Sequence, residues 1–502
     1  MINLTLAQIA DIVGGELADI TAEAAAATWV TGTVEFDSRA VTPGGLFLAL
    51  PGARSDGHGF AAGAVAAGAV AVLAARPVGV PAIVVKPAAG QVDSSSGALE
   101  HDTDGSGAAV LAALGKLARA VADRLVAEGL RIIGVTGSSG KTSTKDLLAA
   151  VLAPLGEVVA PPGSFNNELG HPWTVLRATP DTDFLVLEMS ARHPGNIAAL
   201  AAIAPPSIGV VLNVGTAHLG EFGSQAVIAI TKSELPQAVP SSGVVVLNAD
   251  DSAVAEMAQT TAARVVRVSR SPGADLWAGD VTLDELARPR FALHAGDQHV
   301  DVALAVHGDH QVSNALSAAA VALECGASLQ QVADALAGAG PVSKHRMQVS
   351  TRADGVVVVN DAYNANPDSM RAGLKALAWM AKSARAESGE PVRSWAVLGE
   401  MAELGDDAIA EHDSIGRLAV RLDVSRLVVV GTGRAMGAMQ HGAVMEGSWG
   451  SEVSPVPDAD AALDLLRAEL APGDVVLVKA SNSAGLGALA EAVAREGGEG
   501  QA

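Results

Sequence analysis

A phosphate-binding loop is the clearest chemical feature of the amino-acid sequence. It runs from Gly134 to Ser143 (GVTGSSGKTS), between a β-branched strand and a helix. Glycines let backbone N–H groups point at a phosphate, and the helix N-terminus adds the positive end of its dipole. Lys141 can reach the β- and γ-phosphates, and Thr142 can offer its hydroxyl to Mg²⁺. Val135 stands where the general pattern has glycine, but Gly-Lys-Thr between a strand and a helix still predicts nucleotide binding.

Three polar residues further along the chain suggest a metal site. Glu188 follows the apolar run Leu185–Leu187, His218 comes shortly after Leu212, and Lys232 lies 14 residues beyond His218. Each alone is more often a surface residue or a hydrogen-bonded core residue. Together, downstream of a phosphate loop, they resemble a magnesium site, in which Glu188 is the natural ligand and His218 the unusual one, since Mg²⁺ prefers oxygen.

The elements that must position these residues alternate between strands and helices. Short apolar strands are predicted at 130–135, 184–187, 208–212 and 244–247, and again at 356–359, 395–398, 427–430 and 475–478. Helical patterns such as 108–128 and 367–382 separate them. This alternation predicts α/β domains with mostly parallel sheets covered on both faces. Ligands bind at the carboxyl ends of the strands in such sheets.

The chain of 502 residues is long enough for about three domains. We predict a first domain at 1–107, a central domain at 108–343 and a C-terminal domain at 344–502. Within the first domain, residues 88–107 are rich in Gly, Ser and Asp and have no hydrophobic period. That composition predicts a flexible insertion.

Charge and cysteine content exclude several classes of protein. The 55 acidic and 33 basic residues leave a formal net charge of −22, which argues against general binding of nucleic acid or anionic membranes. The lone Cys325 excludes an internal disulfide framework. The N-terminus has no basic start and no long apolar run, so we predict no signal peptide, no membrane insertion and a cytoplasmic location.

The whole set of motifs resembles the Mur ligase family of ATP-dependent, amide-forming enzymes of peptidoglycan synthesis. The loop pattern T-G-T/S-x-G-K-T-T/S of that family matches Thr136–Ser143 and accounts for the departure at Val135. Glu188, His218 and Lys232 match the glutamate, the histidine and the carbamoylated lysine of its magnesium site. The resemblance implies a small α/β uridine-binding domain, a central P-loop ATPase-like parallel sheet and a Rossmann-like C-terminal α/β domain.

The resemblance also implies roles for individual residues. Those expected to contact ATP are Thr136, Gly137, Ser138, Ser139, Gly140, Lys141, Thr142, Ser143, Asn314, Arg346 and Asp361. Those expected to act in catalysis are Lys141, Glu188, His218 and Lys232, with two Mg²⁺ ions held by Thr142, Glu188, His218 and carbamoylated Lys232. Those expected to bind the other substrates are Ser38, Arg39, Asn166, Asn167, Tyr363, Asn364 and Asn366.

Several of these assignments have a plainer alternative. The Asp37–Arg39 segment could be a turn with a surface salt bridge, and Asn364 and Asn366 could serve only to shape their loop. Lys479 could equally be a solvated residue at the end of a strand. Relatives often read K-G-S-R there, whereas this chain has Asn482 in place of the arginine, so we predict no anion-binding role for it.

Segments in all three domains resemble the branch of the family that joins D-Ala-D-Ala to UDP-MurNAc-tripeptide through an acyl phosphate. The most discriminating is Asp361–Pro367 (DAYNANP), and another is Leu398–Gly405 (LGEMAELG). The resemblance implies a monomer whose domains close by a hinge around Arg346. One alternative is a sister ligase, of Mur or folylpolyglutamate type, that adds a different amino acid. Another is a P-loop ATPase without ligation.

Overall fold

A computed structural model describes residues 1–52, 55–87, 99, 101–215, 219–389, 391–447 and 452–496. Within these ranges the chain forms three α/β units, as predicted. No helix in the described ranges is both long and apolar enough to cross a lipid bilayer.

The first unit is a small five-stranded sheet with a separate two-stranded pairing. The sheet order is β2-β7-β6-β5-β4, and β1 pairs with β3. Its elements are β1 (Leu4–Thr5), α1 (Leu6–Val13), β2 (Glu16–Ala18), α2 (Ala22–Ala27), β3 (Trp29–Val30), β4 (Val34–Glu35), β5 (Gly45–Leu48), α3 (Ala61–Ala66), β6 (Ala69–Ala74) and β7 (Ala82–Val84), with a 3₁₀ turn at Gly57–Phe60.

Most of the predicted insertion at 88–107 lies outside the described residues. Within its described part, Leu99 and Asp102 are buried. The long helix that follows begins at Ser106, and Asp102 accepts a hydrogen bond from the Ala108 backbone N–H at 2.8 Å. The flexible insertion at 88–107 stays a prediction.

The central unit carries a nine-stranded sheet in the order β16-β15-β14-β13-β12-β11-β8-β10-β9. Its elements are α4 (Ser106–Ala127), β8 (Arg131–Thr136), α5 (Lys141–Leu152), β9 (Val158–Val159), α6 (Gly170–Val175), β10 (Phe184–Glu188), α7 (Asn196–Ile203), β11 (Ile208–Val211), α8 (Leu219–Phe222), α9 (Gln225–Ala238), β12 (Val244–Asn248), α10 (Ser252–Glu256), β13 (Arg264–Ser269), β14 (Leu276–Leu283), β15 (Pro289–Ala295), β16 (Gln298–Ala303), α11 (Gln311–Glu324) and α12 (Leu329–Gly338).

This sheet is parallel where it forms the site and antiparallel at one edge. Strands β8 to β13 pair in parallel, whereas β14, β15 and β16 form antiparallel pairs that the strand predictions did not include. On β8, Ile132 packs into one apolar core while Ile133 and Val135 pack into another. Burial on both faces explains why this strand reads as a continuous apolar run instead of an alternating one.

The C-terminal unit is a six-stranded sheet in the order β17-β18-β22-β19-β20-β21, in which only the β17–β18 pair is antiparallel. Its elements are β17 (Gln348–Thr351), β18 (Val357–Asn360), α13 (Pro367–Ser388), β19 (Ser394–Leu398), α14 (Ala408–Arg421), β20 (Arg426–Val430), α15 (Arg434–Met445), β21 (Val453–Val456), α16 (Ala459–Glu469), β22 (Val475–Lys479) and α17 (Leu486–Arg495).

Candidate active site

The phosphate loop lies where the sheet order brings three strand ends together. Strand β8 lies between β11 and β10, so the loop after Thr136 is flanked by Glu188 on one side and by Asn213 on the other. The side-chain oxygen of Asn213 accepts hydrogen bonds from the Ser138 and Ser139 backbone N–H groups, each at 2.9 Å. These bonds shape the loop from outside its own sequence.

Not every residue of the predicted loop faces the cleft. Thr136 is fully buried, and its hydroxyl donates to the Met189 carbonyl at 2.9 Å, so it joins two strand ends. Neither Thr136 nor Gly137 lines the cleft, whereas the loop from Ser138 to Ser143 does. Gly140 has φ of +83°, and a Cβ there would meet Asn314 Oδ1 at 2.6 Å. That backbone conformation and that close approach both require glycine.

Lys141 begins helix α5 and lies along the loop. Its Nζ donates to the Gly137 carbonyl at 2.7 Å. Burial lowers the pKa of Lys141, with a smaller effect in the same direction from Arg346, while Glu188 acts to raise it. The ammonium is therefore held in a poorly solvated place, where its attraction to a phosphate is little screened.

Glu188 is the centre of a hydrogen-bond network at the end of β10. It is 2% exposed, accepts from the Thr142 hydroxyl at 3.0 Å through one oxygen, and accepts from Asn166 Nδ2 at 2.7 Å through the other. The hydroxyls of Thr142 and Ser164 are 2.7 Å apart. A carboxylate and a hydroxyl therefore stand together directly beside the loop.

The other two predicted metal ligands are His218 and Lys232. His218 lies outside the described residues. Lys232, on α9, is buried, and burial lowers its pKa well below the ordinary value, with a second contribution from Lys141. The described residues contain no cluster of three or more histidine, cysteine or acidic side chains that could hold a metal.

Arg346 reaches the central unit from the first residues of the C-terminal unit. Its neighbours His345 and Met347 have φ of +58° and +48°, a left-handed conformation that non-glycine residues rarely adopt. Its Nη2 lies 3.3 Å from the Thr142 hydroxyl and 3.2 Å from that of Ser164. The guanidinium carbon lies 4.3 Å from the ring centre of Tyr363. The buried Nε has no hydrogen-bond partner within the described chain, as expected of a group that awaits an anion.

A buried ion pair supports the loop that carries Tyr363. Lys479, 1% exposed at the end of β22, donates from Nζ to Asp361 Oδ2 at 2.7 Å and to the Asn364 carbonyl at 2.9 Å. The alternative that Lys479 is a solvated strand-end residue is therefore wrong. Asp361 also accepts from the Met347 backbone N–H at 3.0 Å, which ties it to the segment that presents Arg346.

The central and C-terminal units enclose one cleft with two compartments. The first, of about 1350 Å³, is lined by residues that include Lys141, Thr142, Asn166, Asn167, Glu188, Arg192, Arg346, Tyr363, Asn364, Asn366 and Glu403. The second, of about 1110 Å³, is lined by residues that include Asn213, Asn314, Asp361 and Lys479. Ser139, Gly140, Ser143, Arg346 and Ser369 line both. Asn366 also caps helix α13 by accepting from the Ser369 N–H at 2.9 Å.

Ser38 and Arg39 lie in the first unit and do not line this cleft, and Lys232 is also absent from its lining. Arg39 is exposed and donates to Asp37 through Nε at 2.9 Å and through Nη2 at 2.7 Å. This geometry is the one that the surface salt-bridge alternative predicts. The neighbouring Phe36 packs on Trp173 of α6, so the turn lies close to the junction with the central unit.

Family profiles and curated relatives match all three units of the chain. A family profile described as Mur ligase middle domain matches residues 135–322, one described as Mur ligase, glutamate ligase domain matches 345–482, and one described as Mur ligase family, catalytic domain matches 32–120. The UDP-N-acetylmuramoyl-tripeptide–D-alanyl-D-alanine ligase of Mycobacterium tuberculosis is 74% identical over 504 residues, covering 98% of each chain. The chain belongs to the Mur ligase family.

Solved structures agree over nearly the whole chain. The crystal structure of MurF from Acinetobacter baumannii has a TM-score of 0.80 at 28% identity, covering 98% of this chain and 99% of that one. MurF ligase from Thermotoga maritima in complex with ADP has a TM-score of 0.74 at 27% identity, covering 93% and 98%. The predicted membership of the Mur ligase family and the three-domain α/β architecture are thereby confirmed.

Several residues that line the cleft had no role predicted from the sequence, among them Asn213, Arg192, Glu403 and Lys479. Asn213 and Lys479 each follow a predicted apolar strand, so their position at a strand end was the available signal. Glu403 stands inside the Leu398–Gly405 motif, which the sequence analysis noted without assigning a role to any residue. Arg192 has no local signal, because its partner Glu403 lies more than 200 residues away in the chain.

Proposed function

We propose that this enzyme joins D-Ala-D-Ala to UDP-MurNAc-tripeptide, with conversion of ATP to ADP and phosphate. The observation that carries the proposal is the meeting of two units at one cleft. The central unit supplies a phosphate loop with Lys141 and Glu188, and the C-terminal unit supplies Arg346 and Tyr363. Relatives named for this reaction, 70–74% identical along almost the entire chain, support the choice of substrates.

The reaction follows from the weakness of a carboxylate as an acylating agent. A carboxylate oxygen of the tripeptide attacks the γ-phosphorus of ATP, the bond to the β–γ bridging oxygen breaks, and ADP leaves. The amine nitrogen of D-Ala-D-Ala then attacks the acyl carbon, phosphate leaves, and the nitrogen loses a proton. In phosphoryl transfer the protein mainly positions the groups and stabilises charge. Lys141 and Arg346 are the cations placed to do so.

The residues at the phosphate loop fit a magnesium ion. Mg²⁺ in nucleotide sites takes one or two carboxylates together with phosphate oxygens and waters. The adjacent Thr142 hydroxyl and Glu188 carboxylate are oxygen donors of that kind. Bound there, Mg²⁺ would neutralise charge on the β- and γ-phosphates. We propose that Thr142 and Glu188 hold one ion and that His218 and Lys232 contribute to a second.

Carbamoylation of Lys232 fits the surroundings of that side chain. Only a neutral amine reacts with CO₂, and burial lowers the pKa of Lys232, which raises the fraction of the neutral form. The carbamate would replace a buried cation by an anion near Lys141. Carbamoylated Lys232 is thus part of the proposed function.

We also propose the remaining features predicted from the sequence. The domain limits at 107 and 343, the contact of Ser38 and Arg39 with the uridine nucleotide, and the contact of Asn166, Asn167, Tyr363, Asn364 and Asn366 with the peptide substrates belong here. So do ATP contacts from Asn314 and Asp361, a cytoplasmic location, a monomeric state and hinge closure around Arg346.

Phosphate release with ATP, Mg²⁺ and UDP-MurNAc-tripeptide tests the proposal. We expect release only when D-Ala-D-Ala is also present, with a new amide product of the corresponding mass. Release that instead requires a single amino acid would transfer the assignment to a sister ligase. Equal release without either peptide substrate would show an ATPase that performs no ligation.

A further inference from the structure

One ion pair joins the two walls of the first compartment. Arg192 Nη2 lies 2.8 Å from Glu403 Oε1, and Arg192 Nε lies 3.8 Å from Glu221 Oε2. Arg192 belongs to the loop that follows Glu188 in the central unit, and Glu403 to the loop that follows β19 in the C-terminal unit. Their side chains are 42% and 33% exposed, so both can turn toward a ligand without leaving a buried position.

The other two cations of this compartment contact the phosphate loop. Among the described residues that line it, the cations are Lys141, Arg192 and Arg346. Lys141 lies along the phosphate loop, and Arg346 reaches the Thr142 hydroxyl. Arg192 is therefore the cation that stands apart from the phosphate-binding groups.

The backbone at Glu403 is unusual. Its φ is +64°, and the next residue but one, Gly405, has φ of +56°. A Cβ on Gly405 would meet the Gly220 Cα at 2.6 Å, so this loop is pressed against the central unit. A left-handed conformation at a non-glycine residue is held only by its surroundings, and such residues cluster at functional sites. The loop thus holds a carboxylate at the boundary between the two walls.

We propose that Arg192 and Glu403 form the binding site for the two charged ends of the acceptor dipeptide, a deepening that rests on the proposed function. Arg192 binds the terminal carboxylate. Glu403 binds the ammonium group, which releases one proton to solvent before its nitrogen attacks the acyl carbon. Without ligand, the two side chains pair with each other. A zwitterion provides each side chain with a partner of opposite charge, so binding replaces the Arg192–Glu403 pair by one ion pair at each end of the ligand.

The size of the ligand is compatible with this exchange. An extended dipeptide spans roughly 7 Å. Arg and Glu both carry long side chains, and their partial exposure lets them separate by that length. A single neutral or singly charged acceptor could not satisfy both groups, so the pair would also select for a zwitterion.

Steady-state kinetics of the full-length enzyme test the proposal. We expect R192M and E403Q each to raise the KM for D-Ala-D-Ala by about 10- to 100-fold, the range expected when a charged hydrogen bond is lost. The KM for ATP should not change. The matched controls are R421M and E446Q, which remove an ion pair of 2.7 Å that lies outside the cleft, and they should leave every KM unchanged.

An acceptor without its carboxylate assigns the ends of the ligand. D-Alanyl-D-alaninamide should bind the wild-type enzyme as poorly as D-Ala-D-Ala binds R192M, and R192M should not distinguish the two acceptors. If R192M retained the full preference for the carboxylate, the assignment of Arg192 would be overturned. If E168Q raised the KM in place of E403Q, the ammonium site would lie at Glu168 and the assignment of Glu403 would be overturned.

Charge reversal separates a subsite from a mere latch between domains. The double variant R192E/E403R keeps an ion pair across the cleft but exchanges the two signs. We expect it to remain defective, because the reactive amine would then be directed to the wrong wall. Restored activity would show that the pair serves only to hold the domains together. Failure of the wild-type enzyme to ligate D-Ala-D-Ala would refute the proposed function itself.

Discussion

The cleft and the Asp37–Arg39 turn are two polar regions that the sequence assigned to anionic ligands. They differ in how deeply their charged side chains are buried. In the cleft, Lys479 is 1% exposed and is paired with Asp361. In the turn, the Arg39 side chain is 87% exposed and is paired with Asp37 two residues away. A buried charge depends on its partner, whereas water can replace the partner of an exposed one. Substitution should therefore be costly in the cleft and cheap in the turn.

The largest effect is expected at Lys479. K479M removes the partner of Asp361 and leaves an uncompensated buried charge, which typically costs about 3–5 kcal/mol. Urea-induced unfolding of the C-terminal unit should show that loss. The double variant D361N/K479M should recover part of it, because the unpaired charge is gone. A wild-type midpoint for K479M would contradict the comparison.

Lys141 should affect activity instead of folding. K141M removes a cation that lies beside the phosphates, and loss of one such electrostatic contact lowers kcat by about 10²–10³-fold. Phosphate release under saturating substrates measures this, and circular dichroism checks the fold. Because neutral methionine is no harder to bury than lysine, unfolding should not become easier. Loss of stability together with activity would count against a catalytic role.

His171 should make the stability of the central unit sensitive to pH. Burial lowers its pKa to about 4 from the ordinary 6.5, opposed by the carbonyls of Glu188 and Leu200. Between those pH values the unfolded chain binds a proton that the folded chain does not, so stability is present above pH 6.5 and is lost as the pH falls toward 4.

The H171L variant isolates this contribution. Across that interval the wild-type protein should lose up to about 3 kcal/mol more than H171L. Unfolding in urea at a series of pH values measures the difference. Parallel pH profiles for the two proteins would show that His171 is protonated equally in both states.

The smallest effect is expected in the turn. R39M should change the free energy of unfolding by less than about 0.5 kcal/mol, as is usual for an exposed ion pair. A contact with the uridine nucleotide would appear only in the KM for UDP-MurNAc-tripeptide. R119M, which breaks an exposed pair with Asp123 at 2.8 Å, is the matched control. An unchanged KM for R39M would leave the turn with only its structural role.

Contiguous motifs could be predicted well from the sequence because their chemistry is local. The phosphate loop from Ser138 to Ser143 lines the cleft, and the predicted strand before it forms. Thr136 was predicted to contact ATP only because of its position in the motif. Its side chain instead points to Met189, because neighbouring strands determine which side of a strand end faces the ligand.

Residues that act through distant partners could not be predicted in this way. Arg192 and Glu403 are brought together only when the two units meet, and Lys479 becomes buried only when β18 and β22 pair. The antiparallel strands β14 to β16 were also missed, since many of their residues are exposed or only partly buried and their apolar pattern is weak. The predicted role of Ser38 and Arg39 remains a prediction, for the structure shows only their turn.

By itself the sequence determined the class of chemistry, the α/β architecture and the identity of the phosphate loop. These follow from residue types at short spacing and from the apolar periodicity of buried strands. Tertiary structure alone decided which charged groups are buried, which pair across the cleft and which remain in water. Those outcomes depend on contacts between residues far apart in the chain, and burial then decides how strongly each charge depends on its partner.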